Sequence, residues 1–553
     1  MFDNVPKRFL PPEEAWPDFV YALPEVSYVH YRESFNATSE ILDAGISKNG
    51  WAGNIAIYDA NKNKTWSYAR LQEEVNRLGN ALKKLGVEPG DRVMWRFGEV
   101  PEAAVAQLAI WKIGAINVSS ALPERAREIE FMANDTEAKV LICQADEVEQ
   151  VLRARPSLKT VKYVISVPES QNSDLLDYRK LLNEASAELE PYPTRPTDAA
   201  SIFYTGGTTG HPKGCIHSHA TEVIISDVMC GLVCEPNPKD VFLCLPPIGH
   251  AFGNGEKINF PLRFGASAVY KERPTPNETW DLLRRYKVSI LAASPTSYRL
   301  MLDCFDPSYR GELNLKFVVA SGEMLTKDVA DKWNEKIGVG IHNSVGMTPL
   351  RHIFIESVFK RVKVAPGNSV GKPLPGYEFK LIDDKGNKVR NGEVGRLAVR
   401  GLTGIVYWCN LHPQMPGKQK QDVVDGWNLL DDAYTQDEDG WLNFITRLDN
   451  MIVTAGRQVA APEVEEVLAT HPAVHQVAVV GVPDRIRGNV VKAFIELNPG
   501  YAKSDDLVTE IQGYAKDNMA TYKYPRIIEF IDKMPRDAVG KIRRRLLRET
   551  SKS

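Results

Sequence analysis

The stretch Ser201-Ile-Phe-Tyr-Thr205-Gly-Gly-Thr-Thr-Gly210-His-Pro-Lys213-Gly214 decides the reading of this chain. Ile202 and Phe203 read as the end of a buried strand. Between Thr205 and Lys213 the chain then places three glycines, three threonines and one lysine. Glycine lets successive backbone N–H groups turn toward one point, and such a concavity binds anions. The hydroxyls of Thr205, Thr208 and Thr209 add donors around Gly206 and Gly207, and Lys213 adds a cation. The loop therefore suits a polyphosphate. It is not a Walker A loop, in which Gly directly precedes the Lys, because Pro212 stands there. A mobile surface loop is the plain alternative for any Gly-rich stretch; the buried strand and the hydroxyls beside one cation favour phosphate.

The bulk composition bounds the remaining classes. A chain of 553 residues exceeds one ordinary domain, and 43% hydrophobic with 25% charged residues is a globular balance. The net charge of −3 supplies no electrostatic case for nucleic acid or an anionic membrane. No apolar run approaches the length of a membrane span. The segment Met1-Phe2-Asp3-Asn4-Val5-Pro6-Lys7 lacks the apolar core of a secretory signal, and seven cysteines in no framework suit free thiols. Together these predict a cytoplasmic protein. Cys230 and Cys234 are four apart, and with no second ligand pair nearby they read as core thiols rather than a metal site.

Working outward from the loop, strand and helix patterns alternate. The first fifty residues read as a wrapping segment with short helices. Asn54–Tyr58 alternates as a strand, followed by an Asn61–Lys64 turn. Leu71, Val75, Leu78, Leu82 and Leu85 recur at helical spacing up to Gly86. Arg92–Arg96 reads as a strand, Pro101–Ile113 as a helix, and Ile116–Val118 and Lys139–Ile142 as strands. Residues 167–198 read as a polar connector with Pro191, Pro193 and Pro196. Strands follow at Val241–Leu245, Ala268–Tyr270, Ser289–Ala293 and Phe317–Ser321. Such alternation predicts an α/β fold of parallel sheets layered with helices. From Val370 to Arg400, short strands with turns at Asp384–Asn387 and Asn391-Gly392 predict an antiparallel β region. Near Arg447–Asn450 the character changes again, and two helices (Pro462–Leu468, Leu507–Asn518) with two strands (Gln476–Val482, Val491–Leu497) fit a small α+β domain. The expected division is 1–448 and 449–553.

The loop from Tyr204 to Gly214 closely resembles the signature of the adenylate-forming superfamily of acyl-CoA synthetases, adenylation domains and luciferases, with Gly206 where that family usually has Ser. Further motifs follow in the family's order and cover nearly the whole chain. Asn343-Ser344-Val345-Gly346-Met347-Thr348-Pro349 resembles the aromatic-Gly-x-Thr-Glu motif that lines the adenine and acyl pockets. Here Val345 replaces the aromatic, and Pro349 replaces the Glu that helps to hold Mg²⁺. Proline has no side-chain ligand atom, and Glu323 in Ser321-Gly322-Glu323 is one candidate substitute. Gly426–Asp432 resembles Gly-Trp-x-x-Thr-Gly-Asp, putting Asp432 on the ribose hydroxyls, with Leu430 and Asp431 departing from the motif. Thr446–Asp449 resembles Gly-Arg-x-Asp, which implies Arg447 at ribose or phosphate and Asp449 as a hinge. The same resemblance implies that Val453–Arg457, with Gly456, is the loop that meets the thiol channel. Met534–Lys541 resembles the C-terminal Gly-Lys motif, which makes Lys541 the catalytic lysine of adenylation. His250, in Pro246–Gly253, falls where relatives line the acyl site or the gate to the thiol tunnel, and His352 falls near the acyl pocket. For His217 and His219 helix-start packing is an equally good reading.

The branch that looks most similar is that of benzoate-CoA and 2-aminobenzoate-CoA ligases, on Phe260–Ser267, Arg351–Ile355, Gly371–Tyr377 and Tyr522–Arg526 among other stretches. The resemblance implies an AMP-forming acid–CoA ligase that uses ATP, CoA and Mg²⁺ on a small carboxylic acid, aromatic or short and branched. The other readings are a stand-alone adenylation protein that loads a carrier phosphopantetheine, and a nucleotide-binding homologue with impaired catalysis. Oligomeric state is not legible from the residues, and a homodimer is one arrangement left open.

Overall fold

The computed structural model describes the chain apart from residues 22, 25, 27–31, 168–173, 206–211, 358–368, 412, 455–456, 485–486, 520–521, 537–541 and 551–553. The chain forms two compact units. One comprises Met1–Phe379 with Val399–Asn428, the other Lys380–Ala398 with Leu429–Ser553.

The first unit is built on two sheets. One runs in the order Leu176–Asp177, Tyr163–Val167, Val140–Gln144, Arg92–Arg96, Ile116–Ser120, Ala199–Thr205, Lys213–Ser218. All its pairings are parallel except the last, a hairpin in which Thr205 faces Lys213. The other has a parallel centre: Ile341–Gly346, Phe317–Ala320, Ile290–Ala293, Val241–Cys244, Ser267–Tyr270 and Ile55–Asp59. Lys64–Ser67 flanks it antiparallel at one end, and Ile353–Glu356 with Ser369–Pro373 at the other. The central strands are buried along their length, as parallel strands covered on both faces must be.

Helices fill the space between the sheets. Tyr68–Lys84 buries Leu71, Val75, Leu78 and Leu82, the stripe read from the sequence. Pro101–Lys112 is buried on every side, as expected of a mostly apolar helix whose few polar side chains are bonded, Lys112 to Asp43 and Gln107 to Asn254 among them. These helices share one core with Trp95, Val140 and Ile142 of the first sheet and with Phe242, Ile290 and Val319 of the second. Opposite faces of both sheets are covered by further helices, with Ile129 and Met132 on one and Trp280, Tyr298 and Trp333 on the other.

The predicted elements recur with shifts of one to three residues at their ends. One expectation needs correction: the connector 167–198 is not merely polar linker. It carries the short strand Leu176–Asp177 and the helix Tyr178–Asn183, whose Tyr178 and Leu182 are buried in the main core. Leu176 and Leu181 pack beside them, and a run this short gives too few turns for its period to stand out in a polar surrounding.

In the second unit, Asp432–Gln436 of the strand Trp427–Gln436 pairs antiparallel with Leu442–Arg447 as a hairpin. The turns predicted at Gly386 and Gly392 are present, each with φ of 84°, a conformation that glycine adopts without strain. Val474–Asp484 and Gly488–Leu497 pair antiparallel, with Ile527–Phe530 parallel beside them. Helices Ala461–Ala469 and Asp505–Asn518 cover this sheet through Val464, Leu468, Leu507 and Ile511. Asp449, the expected hinge, lies in a 3-10 turn, Leu448–Asn450, ahead of the Met451–Thr454 strand; its side chain is outside the described set.

Candidate active site

In the first unit the sequence-predicted residues gather where the hairpin, the helix after His250 and the segment after Gly346 meet. Thr205 ends one hairpin strand and Lys213 opens the other, directly across the register. Gly206, Gly207, Thr208 and Thr209 fall outside the described residues, as do Gly456 and Lys541. Tyr204, just before the loop, donates its hydroxyl to Asp135 Oδ2 at 2.7 Å, which fixes the strand end. On the returning strand, His217 hydrogen-bonds to the Thr348 backbone. Burial, and then the Arg351 charge, hold its pKa well below the ordinary value. His219 accepts from the Ala37 N–H at 3.2 Å and is pushed down to about 3 by burial. Both therefore stay neutral and serve packing.

His250 immediately precedes the helix Ala251–Asn254, which continues as a π-helical stretch, Gly255–Asn259, and then Phe260–Arg263. Wide turns of this kind inside a helix redirect side chains at functional sites. The turn before His250 is held by a buried ion pair between Lys257 and Glu99. Lys257 Nζ also donates to Pro246 O at 2.7 Å, and Glu99 Oε1 accepts from Ile248 N at 3.0 Å. Gly253 is required for closeness: a Cβ there would lie 2.2 Å from the Pro247 carbonyl.

Ser321 is buried at the end of Phe317–Ala320 and donates to Ser344 O at 3.4 Å, while Ser344 Oγ donates to Ala320 O at 2.8 Å. Gly322 has φ of 90°. Val345 and Gly346 form a bulge against Ile353–Glu356, and Met347 donates its N–H to His352 O at 3.3 Å. Thr348 opens a short 3-10 turn that buries Pro349. His352 lies between Phe252 and Phe260, with ring centroids 5.5 and 4.6 Å away, and its Nε2 meets Phe252 O at 3.2 Å. Burial first, and then the Arg351 charge, lower its pKa to about 3, so it presents a neutral ring.

Sequence reasoning missed the residue that ties these pieces together. Arg351 is fully buried with φ of 70°, a strained value for a side-chain-bearing residue. Its Nε donates to Glu222 Oε1 and Oε2 at 2.9 and 3.0 Å, and Nη2 donates to Glu222 Oε2 at 2.7 Å. Nη2 also reaches Asn254 Oδ1 at 2.7 Å and Nη1 the Ala251 carbonyl at 3.0 Å. Its guanidinium stands 4.2 Å from the Phe203 ring centroid. Glu222 additionally accepts from Asn259 at 2.8 Å, and Gln107 joins Asn254 and Asn259 behind it. One guanidinium thus links the strand entering the phosphate loop, the helix after His250 and the turn after Thr348. Arg351 and Glu222 are 129 positions apart, and no local pattern signals such a pair.

In the second unit, Asp432 faces Arg447 across the hairpin, with Arg447 Nε 3.9 Å from Asp432 Oδ1. Asp431 pairs with Arg396 at 3.2 Å, which accounts for it without a metal.

Mg²⁺ fits these residues poorly. Pro349 offers no donor, and Glu323 Oε2 already accepts from Thr296 Oγ1 at 2.7 Å and Thr296 N at 3.2 Å, capping the Pro295–Asp303 helix. Among the described residues no group of three or more His, Cys, Asp or Glu could hold a metal ion. Nor is any described helix long and apolar enough to cross a membrane. All seven cysteines are free.

The AMP-binding enzyme family matches residues 47–405, and its C-terminal domain matches residues 463–541. The chain belongs to the AMP-binding enzyme family. It is 32% identical over 520 residues to a benzoate–CoA ligase of Thauera aromatica, spanning 93% of this chain and 96% of that protein. Among solved structures it is similar to the anthranilate CoA ligase AuaEII in complex with anthranoyl-AMP, at TM-score 0.85 and 30% identity over 94% of this chain and 98% of that one. A benzoate CoA ligase from Burkholderia xenovorans LB400 superposes at TM-score 0.81 and 28% identity, covering 93% and 100%. The protein is an acid–thiol ligase of the AMP-forming acyl-CoA synthetase kind, with ATP and CoA as its co-substrates. The α/β fold and the suspected branch agree with the sequence reading.

Proposed function

We propose that this enzyme ligates a small aromatic carboxylic acid, benzoate- or 2-aminobenzoate-like, to coenzyme A. The observation that carries the reading is the aromatic cluster made by neutral His352 with Phe252 and Phe260, whose rings incline to it by 52° and 65°, beside the helix that His250 begins. Its support comes also from the named activities of the similar ligases.

A carboxylate is a poor acyl donor because oxide would have to leave. In the first step the substrate carboxylate attacks the α-phosphorus of ATP and pyrophosphate departs. Catalysis of such a step is mainly positioning and stabilisation of charge on the phosphate oxygens. In this reading Thr205, Thr208, Thr209 and Lys213 grip the leaving pyrophosphate around Gly206 and Gly207. Lys541 bridges carboxylate and phosphate, and Asp432 with Arg447 holds the ribose. Ser321, Gly322, Val345, Gly346, Met347 and Thr348 line the adenine and acyl side. In the second step the CoA thiol attacks the acyl carbon, AMP leaves and the thiol proton passes to solvent. The division into 1–448 and 449–553, with Asp449 as hinge and Gly456 at the thiol channel, belongs to the same reading: a hinge absorbs backbone change between the steps. No step is assigned to Mg²⁺.

The test is a panel of carboxylic acids incubated with ATP and CoA, scored for acyl-CoA and AMP. Turnover of benzoate or 2-aminobenzoate above aliphatic acids of similar size is the expected result. Pyrophosphate exchange without acyl-CoA would instead mark a carrier-loading protein, and silence across the panel an impaired homologue.

A further inference from the structure

The helix that begins after His250 carries a second ionisable group that no step above uses. Glu256 is 1% exposed. Among the described residues its carboxyl makes no hydrogen bond and no ion pair, unlike its neighbour Lys257, which is taken by Glu99 and Pro246 O. Its surroundings include Cys230 and Cys234 from Ser226–Cys234, Cys244 at the end of Val241–Cys244, and Tyr298 of Pro295–Asp303. The cations that act on the same thiols, Lys316 and Lys257, are paired with Asp240 and Glu99, and Glu356 adds a second acid beside Cys234. Burial keeps all three cysteines as neutral thiols. Cys230 and Cys234 hydrogen-bond to each other, and the Tyr298 hydroxyl is spent on Val319 O and Leu291 O at 2.7 and 3.2 Å. A carboxyl buried among such groups is destabilising unless something pairs with it. Other buried acids of this unit have partners: Glu222 has Arg351, and Glu99 has Lys257.

Its position joins it to the acyl side of the site. Gly255 packs so closely on His352 that a Cβ there would lie 2.6 Å from the ring, and Glu256 is the next residue of the same helical stretch. It is six residues beyond His250, on the order of 9 Å along a helix. A ring bearing a carboxylate at one end and a second polar group at the other spans such a length. We propose that Glu256 reads the far end of the acyl substrate, and that the preferred acid carries a basic amino group there which enters as an ammonium ion and pairs with the Glu256 carboxylate. This rests on the acid–CoA ligase reading and narrows its substrate class. Burial pushes the empty Glu256 carboxyl up to about 8. Binding of the ammonium then releases the Glu256 proton to solvent and leaves a neutral ion pair in the interior, with no covalent change.

The experiment measures acid-dependent ATP–pyrophosphate exchange, followed by acyl-CoA detection, on matched probes: 3- and 4-(aminomethyl)benzoate against 3- and 4-ethylbenzoate, with benzoate as reference. The wild type is expected to favour at least one aminomethyl acid over its ethyl partner by about tenfold or more in kcat/KM, the scale of one pocket contact. Glu256→Leu is expected to reverse that order while still using the ethyl acids, and Glu256→Gln to remove the preference for the cation. A wild type that uses neutral acids but rejects both aminomethyl acids overturns the proposal, and so does a Glu256→Leu enzyme with an unchanged ratio. No exchange with any acid overturns the ligase reading itself, a distinct outcome. Melting temperatures of both variants at or above wild type establish that they are folded.

Discussion

Glu256→Gln should stabilise the protein in a manner that depends on pH. The folded protein holds the Glu256 proton up to about 8, against an ordinary value of 4.5, because burial disfavours the charged form. A raised folded pKa favours the folded state fully below 4.5, and the advantage is lost as pH rises toward 8, since the unfolded chain then ionises freely. Each pH unit in that window is worth about 1.4 kcal/mol, so the loss by pH 8 reaches about 4 kcal/mol. Glutamine has the same shape and no such loss. For a unit of roughly 400 residues this corresponds to about 5 °C in melting temperature. The assay is thermal unfolding of both proteins, without ligand, from pH 5 to pH 8.5. Near pH 5 the two should melt together, and the variant should pull ahead as pH rises. Parallel curves would refute the reasoning, because they would mean that Glu256 is ionised or paired in the folded protein.

Arg351→Leu should cost about 3–5 kcal/mol in urea unfolding by stranding Glu222 as a buried charge, and adding Glu222→Gln should restore much of the loss. His342, stacked on Phe317 at 4.3 Å, has its pKa lowered by burial to about 4. Stability present above 6.5 is therefore lost as pH falls toward 4, and His342→Phe should spare about 3 kcal/mol of that loss in acid unfolding curves. Glu323→Gln should leave the Mg²⁺ concentration for half-maximal rate unchanged, since that carboxylate caps a helix; a marked rise in the requirement would make it a metal ligand. Lys541→Ala should abolish acid-dependent pyrophosphate exchange while ATP binding, followed by calorimetry, persists; normal exchange would sink the assigned role.

The sequence by itself determined the elements and the chemistry class. Helical and strand periods located Tyr68–Lys84, Arg92–Arg96 and the central parallel strands, because burial of one face leaves a local, repeating trace. The glycine-threonine loop and the ordered motifs behind it identified the family, since those residues act through short-range backbone geometry. What only the tertiary structure decided is which distant side chains meet. Asp432 and Arg447 come together through hairpin register, and Glu222, Asn254 and Phe203 converge on a strained Arg351. It also showed that Glu256 has no partner where Glu99 and Glu222 have one. An ion pair and an unpaired acid are alike in one dimension. They differ only in what the fold brings within hydrogen-bond reach, and in how much water it removes.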